Sequence, residues 1–361
     1  MRLAIILGTR PEIIKMSPII RTCDQRNIDY FILHTGQHYS YEMDRKLFED
    51  LEISQPAYNL NVGGQPYRKQ VGNMTREIMA LLEKEKPDVV LVQGDTISVL
   101  AGALAANKLK IKIGHHEAGL RSHDLTMLEE TNRIITDHIS DYLFAPTDDA
   151  LKNLYEEGIT SDKVFLTGNT IVDAVFQNLA LAEKKVDILE KLNLKKKNYI
   201  LVTVHRSENV DNEIRLKGII EGLNLVSREF QLPVIFSVHP HTANSLNQFG
   251  LNINNIKLIQ PLGYLEFMQL EANSRLIITD SGGLQEEACI LKIPCVTVRD
   301  NTERPETIKA KINILAGADP ARILAAANEM IRNSRQWINP FGNGDAAQKI
   351  LSLTEEQLKK I

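Results

Sequence analysis

Residues 275–288 read RLIITDSGGLQEEA. The run Arg275-Leu276-Ile277-Ile278 has the pattern of a short buried strand, and Leu284 to Leu291 has the apolar spacing of a helix. Ser281-Gly282-Gly283 therefore falls where a strand turns into a helix. Glycines there let the backbone pass close to a ligand. The N–H groups of the helix's first turn point outward with partial positive charge, so the turn reads as a phosphate seat. Glu286 and Glu287 follow within the first two turns, where one of them can accept hydrogen bonds from ribose hydroxyls. The plainer reading is that Ser281 caps the helix and the glutamates favour its N-terminus. A second such turn, Gly8-Thr9-Arg10, and a His205-Arg206 pair between the two tip the balance towards a ligand site.

Working outward from this stretch, the same grammar repeats. Tyr199 to Val204 is a strand that ends in His205-Arg206-Ser207-Glu208-Asn209. Ile214 to Phe230 is a helix, Pro233 to Val238 a strand ending in His239-Pro240, and Ile256 to Ile259 another strand. Pro294 to Val298 is a strand that leads into Thr302-Glu303-Arg304-Pro305-Glu306. Helices follow at Ala321 to Ile331 and Asp345 to Leu358.

In the first half, Leu3 to Leu7 is a continuous apolar strand, the pattern of a parallel sheet covered on both faces. Gly8 to Glu12 turns into a helix with Pro11 at its first position, and Arg10 and Lys15 flank that turn as candidate diphosphate ligands. Tyr30 to His34 opens into Thr35-Gly36-Gln37-His38-Tyr39. Val71 to Leu82 is an amphipathic helix. Pro87 to Val92 exits through Gln93-Gly94-Asp95-Thr96, where Asp95 is either a helix cap or a reacting acid or base. Lys112 to His116 delivers Glu117-Ala118-Gly119-Leu120-Arg121, and a helix through Ser140 carries Glu129 and Glu130. Tyr142 to Ala145 and Val164 to Leu166 are the last strands of this half. Alternating strands and helices mean stacked βαβ units, hence an α/β protein. The pattern restarts after a charged linker at 184–197, which implies two Rossmann-like parallel-sheet domains facing one cleft.

At 361 residues, two domains are the default. A 43% apolar and 24% charged composition is that of a globular protein. A net charge of −4 argues against nucleic acid and against attachment to a membrane surface. Cys23, Cys289 and Cys295 lack metal-ligand spacing and read as buried thiols of a reducing, cytoplasmic compartment. The first apolar run is too short for a signal peptide, and none approaches the ~20 residues of a spanning helix. His34 and His38 straddle a strand and a loop with no carboxylate to complete a site, so no metal is expected. The absence of GxGxxG and GxSxG motifs points away from a nicotinamide cofactor and a serine nucleophile. No cofactor is expected. What remains is a set of carboxylates, Asp95, Glu117 and Glu130, with His205 and His239, around a phosphate cleft. Such a set suits proton abstraction from carbon with expulsion of a phosphate leaving group.

GTRPEIIK (8–15), QGDT (93–96), HEAGLRS (116–122), EETNR (129–133), GNTIVDA (168–174), His205-Arg206, TDSGGLQEEA (279–288) and TERPE (302–306) together resemble the non-hydrolysing UDP-N-acetylglucosamine 2-epimerases. The motifs follow the family's order over nearly the whole chain. The resemblance implies a glycosyltransferase-B-like fold with domains at 1–168 plus 346–361 and at 169–345, the final helix crossing back near 339–344. It implies elimination and re-addition of UDP, a UDP-sugar as partner and a homodimer. It puts Asp95, Glu117 and Glu130 near the sugar and His205 near the diphosphate, as catalytic residues. It puts Arg10, Lys15, Arg206, Phe267, Ser281, Gly282, Gly283, Glu287 and Arg304 in substrate binding, with Phe267 beside the uracil and Glu287 on the ribose. Gln37, His38 and His239 are candidates for a second, regulatory nucleotide-sugar site. His116, His123 and Leu128 depart from the family pattern within the loop that carries Glu117 and Glu130. Rival readings are an epimerase of a modified UDP-sugar, a hydrolysing 2-epimerase, a glycosyltransferase on the same fold, or a nucleotide-sugar sensor without chemistry.

Overall fold

The computed structural model describes residues 1–37, 41–62, 67–253 and 255–360. The chain divides into two compact units, Met1–Gln177 with Phe341–Ile361, and Asn178–Pro340. The sequence reading drew the divide at 168, before the helix Thr170–Lys185; in the structure it falls within that helix.

Among the described residues the first unit carries a sheet of seven strands: β1 Arg2–Leu7, β2 Asp29–His34, β3 Tyr58–Asn59, β4 Val89–Gln93, β5 Lys112–His116, β6 Tyr142–Ala145 and β7 Val164–Leu166. Their order is β3-β2-β1-β4-β5-β6-β7 and every pairing is parallel. Leu3, Ala4, Ile5, Ile6 and Leu7 are all fully buried, which is what a strand covered by helices on both faces requires. The strand order reverses between β1 and β4. That is where open parallel sheets leave a crevice at the strands' carboxyl ends, and the Thr9 turn and Asp95 are the residues that exit there. The helix Ala346–Leu358 belongs to this unit. Asp173 accepts the N–H groups of Ala346 (3.3 Å) and Ala347 (3.1 Å) and so supplies the cap that its own N-terminus lacks.

The second unit repeats the plan with six strands among the described residues: β8 Ile200–Thr203, β9 Val234–Ser237, β10 Ile256–Ile259, β11 Leu276–Thr279, β12 Cys295–Thr297 and β13 Asn313–Leu315. The order β10-β9-β8-β11-β12-β13 is again parallel throughout, and it reverses between β8 and β11. The exits of those two strands, His205-Arg206 and Asp280-Ser281, are therefore brought side by side.

Most of the expected strands and helices recur with ends shifted by a residue or two; the helix expected over 71–82 is longer, Tyr67–Glu85, and one smaller shift matters. The helix expected from Leu284 starts at Gly282, because the Ser281 hydroxyl caps it by accepting the Leu284 N–H at 3.5 Å. Among the elements that went unread are the strands β3 and β13 and the helices Ile97–Lys108 and Tyr264–Ala272: the strands are too short to show periodicity, Ile97–Lys108 is apolar nearly all round, and Tyr264–Ala272 buries Gln269 and Glu271 beside its apolar residues, which blurs the stripe. No helix among the described residues is long and apolar enough to cross a membrane.

Candidate functional site

In the second unit the site is built on Asp280, which is fully buried at the exit of β11. Its carboxylate accepts the backbone N–H of His205 (3.0 Å) and of Arg206 (2.9 Å), the Asn209 amide (3.1 Å) and, on the other oxygen, His205 Nδ1 (2.9 Å). Burial alone would raise this carboxyl. The His205 imidazole and the surrounding donors outweigh that and hold it below the usual range. With Nδ1 given to Asp280, Nε2 of the half-exposed His205 ring is the nitrogen left for a ligand. Nε of Arg206 is enclosed and meets no acceptor among the described residues.

Gly282 and Gly283 follow as the first residues of the helix Gly282–Ile290. Neither has the positive φ that demands glycine. A methyl group on Gly282 would lie 3.7 Å from Glu303, and one on Gly283 3.9 Å from Ser281. Neither packing nor backbone conformation calls for these glycines, and a helix start of this kind can seat an anion. Of the two glutamates that follow, Glu286 is paired with Arg304 at 2.5 Å. Glu287 lies against the buried Glu271. Phe267, on the helix Tyr264–Ala272, is partly buried against the core beneath. Arg299 forks onto Glu303 at 2.7 and 3.0 Å and reaches Glu208 at 3.0 Å, tying down the loop that ends in Arg304. Burial pushes Glu303 up, but Arg299 brings it down to about 2.

In the first unit three carboxylates gather at the exits of β4 and β5. Glu117 stands in the left-handed region at φ 65, uncommon for a side chain of this size. It is held there by Lys15 (2.5 Å), Asn169 (2.7 Å) and the Gln93 amide. Arg133 bridges Asp95 and Glu130, the latter at 2.9 Å. Glu130 also accepts the N–H groups of Ser122 and His123, both at 2.9 Å. Burial acts to raise Glu130, and these donors with Arg133 overcome it, so the carboxyl sits below its usual value. The cap of the helix Ile97–Lys108 is Thr96, which leaves Asp95 free of that role. Beside Asp95 lies a cavity of about 310 Å³ lined by Thr9, Pro11, Gln37, Thr96, Leu128 and Asn132.

Glu12 organises this edge. It is buried and accepts the N–H groups of Gly8 (2.6 Å) and Thr9 (2.8 Å) and the Thr96 hydroxyl (2.5 Å), joining the β1 and β4 exits. Burial pushes its carboxyl up to about 7 against those donors. Arg10 is half-buried, and no carboxylate among the described residues pairs with it.

The structure thus brings together Lys15 with Glu117, Asp95 with Glu130, and His205 with Arg206 and Ser281. Gln37 accepts the Ser98 N–H and hydroxyl (2.7 Å to the latter) in the first unit. His239 caps the helix Pro240–Gln248 in the second. His38 lies outside the described residues. Of the departures, His116 is a core residue whose Nε2 accepts the Thr170 N–H at 3.4 Å; burial pushes it down to about 4, so it is neutral. His123 donates its N–H to Glu130, and Leu128 is exposed at the cavity. The sequence reading missed Asp280, Glu12, Asn169 and Arg133. All four lie inside quoted motifs, but their work is to hold neighbours distant in the chain, and a motif alone carries no sign of that.

A family profile described as UDP-N-acetylglucosamine 2-epimerase matches residues 21–355. A UDP-N-acetylglucosamine 2-epimerase of Methanocaldococcus jannaschii is 54% identical over 360 residues, covering 98% of this chain and 98% of the relative. The crystal structure of the M. jannaschii UDP-GlcNAc 2-epimerase in complex with UDP-GlcNAc and UDP superposes with a TM-score of 0.87 at 53% identity, covering 99% and 100% of the two chains. That of the Neisseria meningitidis enzyme bound to UDP-GlcNAc gives 0.88 at 34% identity, again covering 99% and 100%.

Proposed function

The chain belongs to the UDP-N-acetylglucosamine 2-epimerase family, and from that premise we propose that it interconverts UDP-N-acetylglucosamine and UDP-N-acetylmannosamine by inverting carbon 2 of the sugar. A base takes the proton from carbon 2, the bond from carbon 1 to the diphosphate oxygen breaks, and UDP leaves with the electron pair. The product of this half is 2-acetamidoglucal. UDP oxygen then adds back to carbon 1 while a proton reaches carbon 2 on the opposite face. No electrons are gained or lost, so the sequence of steps balances without a redox partner.

The second unit takes the nucleotide half in this reading. The Ser281 helix terminus, His205 and Arg206 receive the diphosphate, Glu287 the ribose and Phe267 the uracil, with Arg304 beside them. Preorganised donors and cations stabilise the charge that builds on UDP as it departs. The first unit supplies Arg10 and Lys15 as further cations and Asp95, Glu117 and Glu130 as the acids and bases. Gln37, His38 and His239 remain candidates for a second nucleotide-sugar site. The observation that carries the reading is the pairing of those three carboxylates with Lys15 and Arg133. Lys15 and Arg133 thus stand beside the groups that would take and return the proton, and the Lys15–Glu117 contact offers a route for passing one on.

Incubation with UDP-N-acetylglucosamine in deuterium oxide tests this. The expected result is deuterium at carbon 2 of both epimers with UDP still attached. Release of free N-acetylmannosamine with UDP, or epimer formation without deuterium, refutes it. We place the enzyme in the cytoplasm, in keeping with three unpaired, buried cysteines. The family resemblance carries a homodimer, which sedimentation of the purified protein tests.

A further inference from the structure

Glu271 is fully buried at the end of the helix Tyr264–Ala272, one turn after Phe267, so the two side chains share a face of that helix. Both of its carboxyl oxygens are enclosed, and no donor among the described residues reaches either. The titratable groups facing it are Glu287 from the helix Gly282–Ile290, Cys295 from β12 and Tyr199 at the start of β8. None is a cation. The Tyr199 hydroxyl is given to the Leu270 carbonyl, and burial pushes both it and the Cys295 thiol above their ordinary values.

A buried carboxylate with neither a cation nor a donor is far less stable than its protonated form. Burial first, and the Glu287 carboxylate second, push Glu271 well above the usual carboxylate range, so it is the acid of the pair. Two carboxylates have only acceptors and cannot bond to each other except through a proton. Glu271 has that proton, and Glu287 is the acceptor beside it.

We propose that Glu271 is a positioning residue for nucleotide binding: its carboxylic O–H donates to Glu287 and fixes that side chain, ionised, for the ribose. This rests on the reading of Glu287 as the ribose acceptor. A protonated Glu287 would make weaker hydrogen bonds to ribose hydroxyls than an ionised one. Glu271 decides which member of the pair carries the charge.

The test is calorimetric titration of UDP and of 2′-deoxy-UDP into the wild-type protein, Glu287→Ala, Glu271→Met and Glu271→Gln, with circular dichroism to check folding. Methionine fills the space without a donor, whereas glutamine restores a neutral donor. Glu271→Met is expected to weaken UDP about tenfold or more, the scale of a lost charge-assisted hydrogen bond. Glu271→Gln should recover most of that affinity. The methionine penalty should shrink with 2′-deoxy-UDP, which lacks a hydroxyl for Glu287 to hold. Wild-type affinity in Glu271→Met, with Glu287→Ala weakened, overturns the proposal, as does an equal penalty on both nucleotides, the mark of a packing defect. Unchanged affinity in Glu287→Ala instead sinks the ribose role of Glu287, and the proposal with it. Should Glu271→Met fail to fold, infrared difference spectroscopy between the wild type and Glu271→Gln decides. A protonated-carboxyl band is expected in the wild type and absent from the variant; its absence from the wild type overturns the proposal.

Discussion

Asp280→Asn isolates the charge that organises the second unit's site. Three donors converge on one Asp280 oxygen: the His205 and Arg206 N–H groups and the Asn209 amide, at 2.9 to 3.1 Å. Asparagine can turn its carbonyl oxygen to the same three and keep the shape. Each bond then changes from one made to an ionised acceptor, about 1.5–3 kcal/mol, to a neutral one, about 0.5–1.5 kcal/mol. Roughly 1 kcal/mol is lost at each, or about 3 kcal/mol in all. The new amide group also faces His205 Nδ1, which must surrender its proton to accept a bond, so the ring changes tautomer. The assay is urea unfolding followed by fluorescence. The chain's single tryptophan, Trp337, lies in the second unit with its indole N–H on the Cys289 carbonyl at 2.9 Å, so it reports on that unit. UDP affinity should fall as the His205-Arg206 turn loosens. The pH dependence has a definite sign. The folded carboxyl lies below its ordinary value, so its contribution is present above the unfolded value and is lost as pH falls through the folded one. The difference between wild type and variant is therefore constant near neutrality and closes only below about pH 4. A loss under about 1 kcal/mol together with unchanged UDP affinity would refute Asp280 as the anchor of the turn.

Gly282→Ala and Gly283→Ala should fold as well as the wild type or gain up to about 1 kcal/mol in helix propensity, because the added methyl meets nothing closer than ordinary van der Waals contact, yet bind UDP more weakly; thermal unfolding and calorimetry on the same samples check both halves, and undiminished binding would remove the anion seat. Gly8→Ala should do the reverse. Its methyl would lie 2.1 Å from the hydroxyls of Ser98 and Thr35, costing about 1–3 kcal/mol by overpacking, read from the unfolding midpoint. Asp95→Asn, Glu117→Gln and Glu130→Gln should each lower turnover about 100-fold or more with UDP affinity kept; near-normal epimerisation and deuterium exchange in all three would place the chemistry elsewhere.

Much of the site was legible because strand exits have local signatures. A continuous apolar run followed by glycine and a cap residue announces a buried parallel strand feeding a helix. Leu3 to Leu7 before Gly8, and Arg275 to Ile278 before Ser281-Gly282, do so within a dozen residues. Such turns are determined by backbone sterics and capping, which act between near neighbours. The alternation of strand and helix likewise determined a parallel α/β architecture. Short elements such as Asn313–Leu315, and helices that bury polar residues among apolar ones such as Tyr264–Ala272, carry no clear period and were not legible.

What the tertiary structure decided is which partner each polar group has. Glu286 and Glu287 are indistinguishable as adjacent acids in sequence, yet one is bound to Arg304 and the other lies against Glu271. Asp95 was a candidate helix cap until the fold gave that cap to Thr96 and set Arg133 against the aspartate. Asp280 looks like one more loop aspartate until the reversal of strand order puts β8 beside β11 and aims two backbone N–H groups at it. Apolar periodicity and turn chemistry are properties of consecutive residues. Hydrogen bonds and ion pairs between residues 75 or 102 positions apart depend on strand order and register, which no local stretch contains.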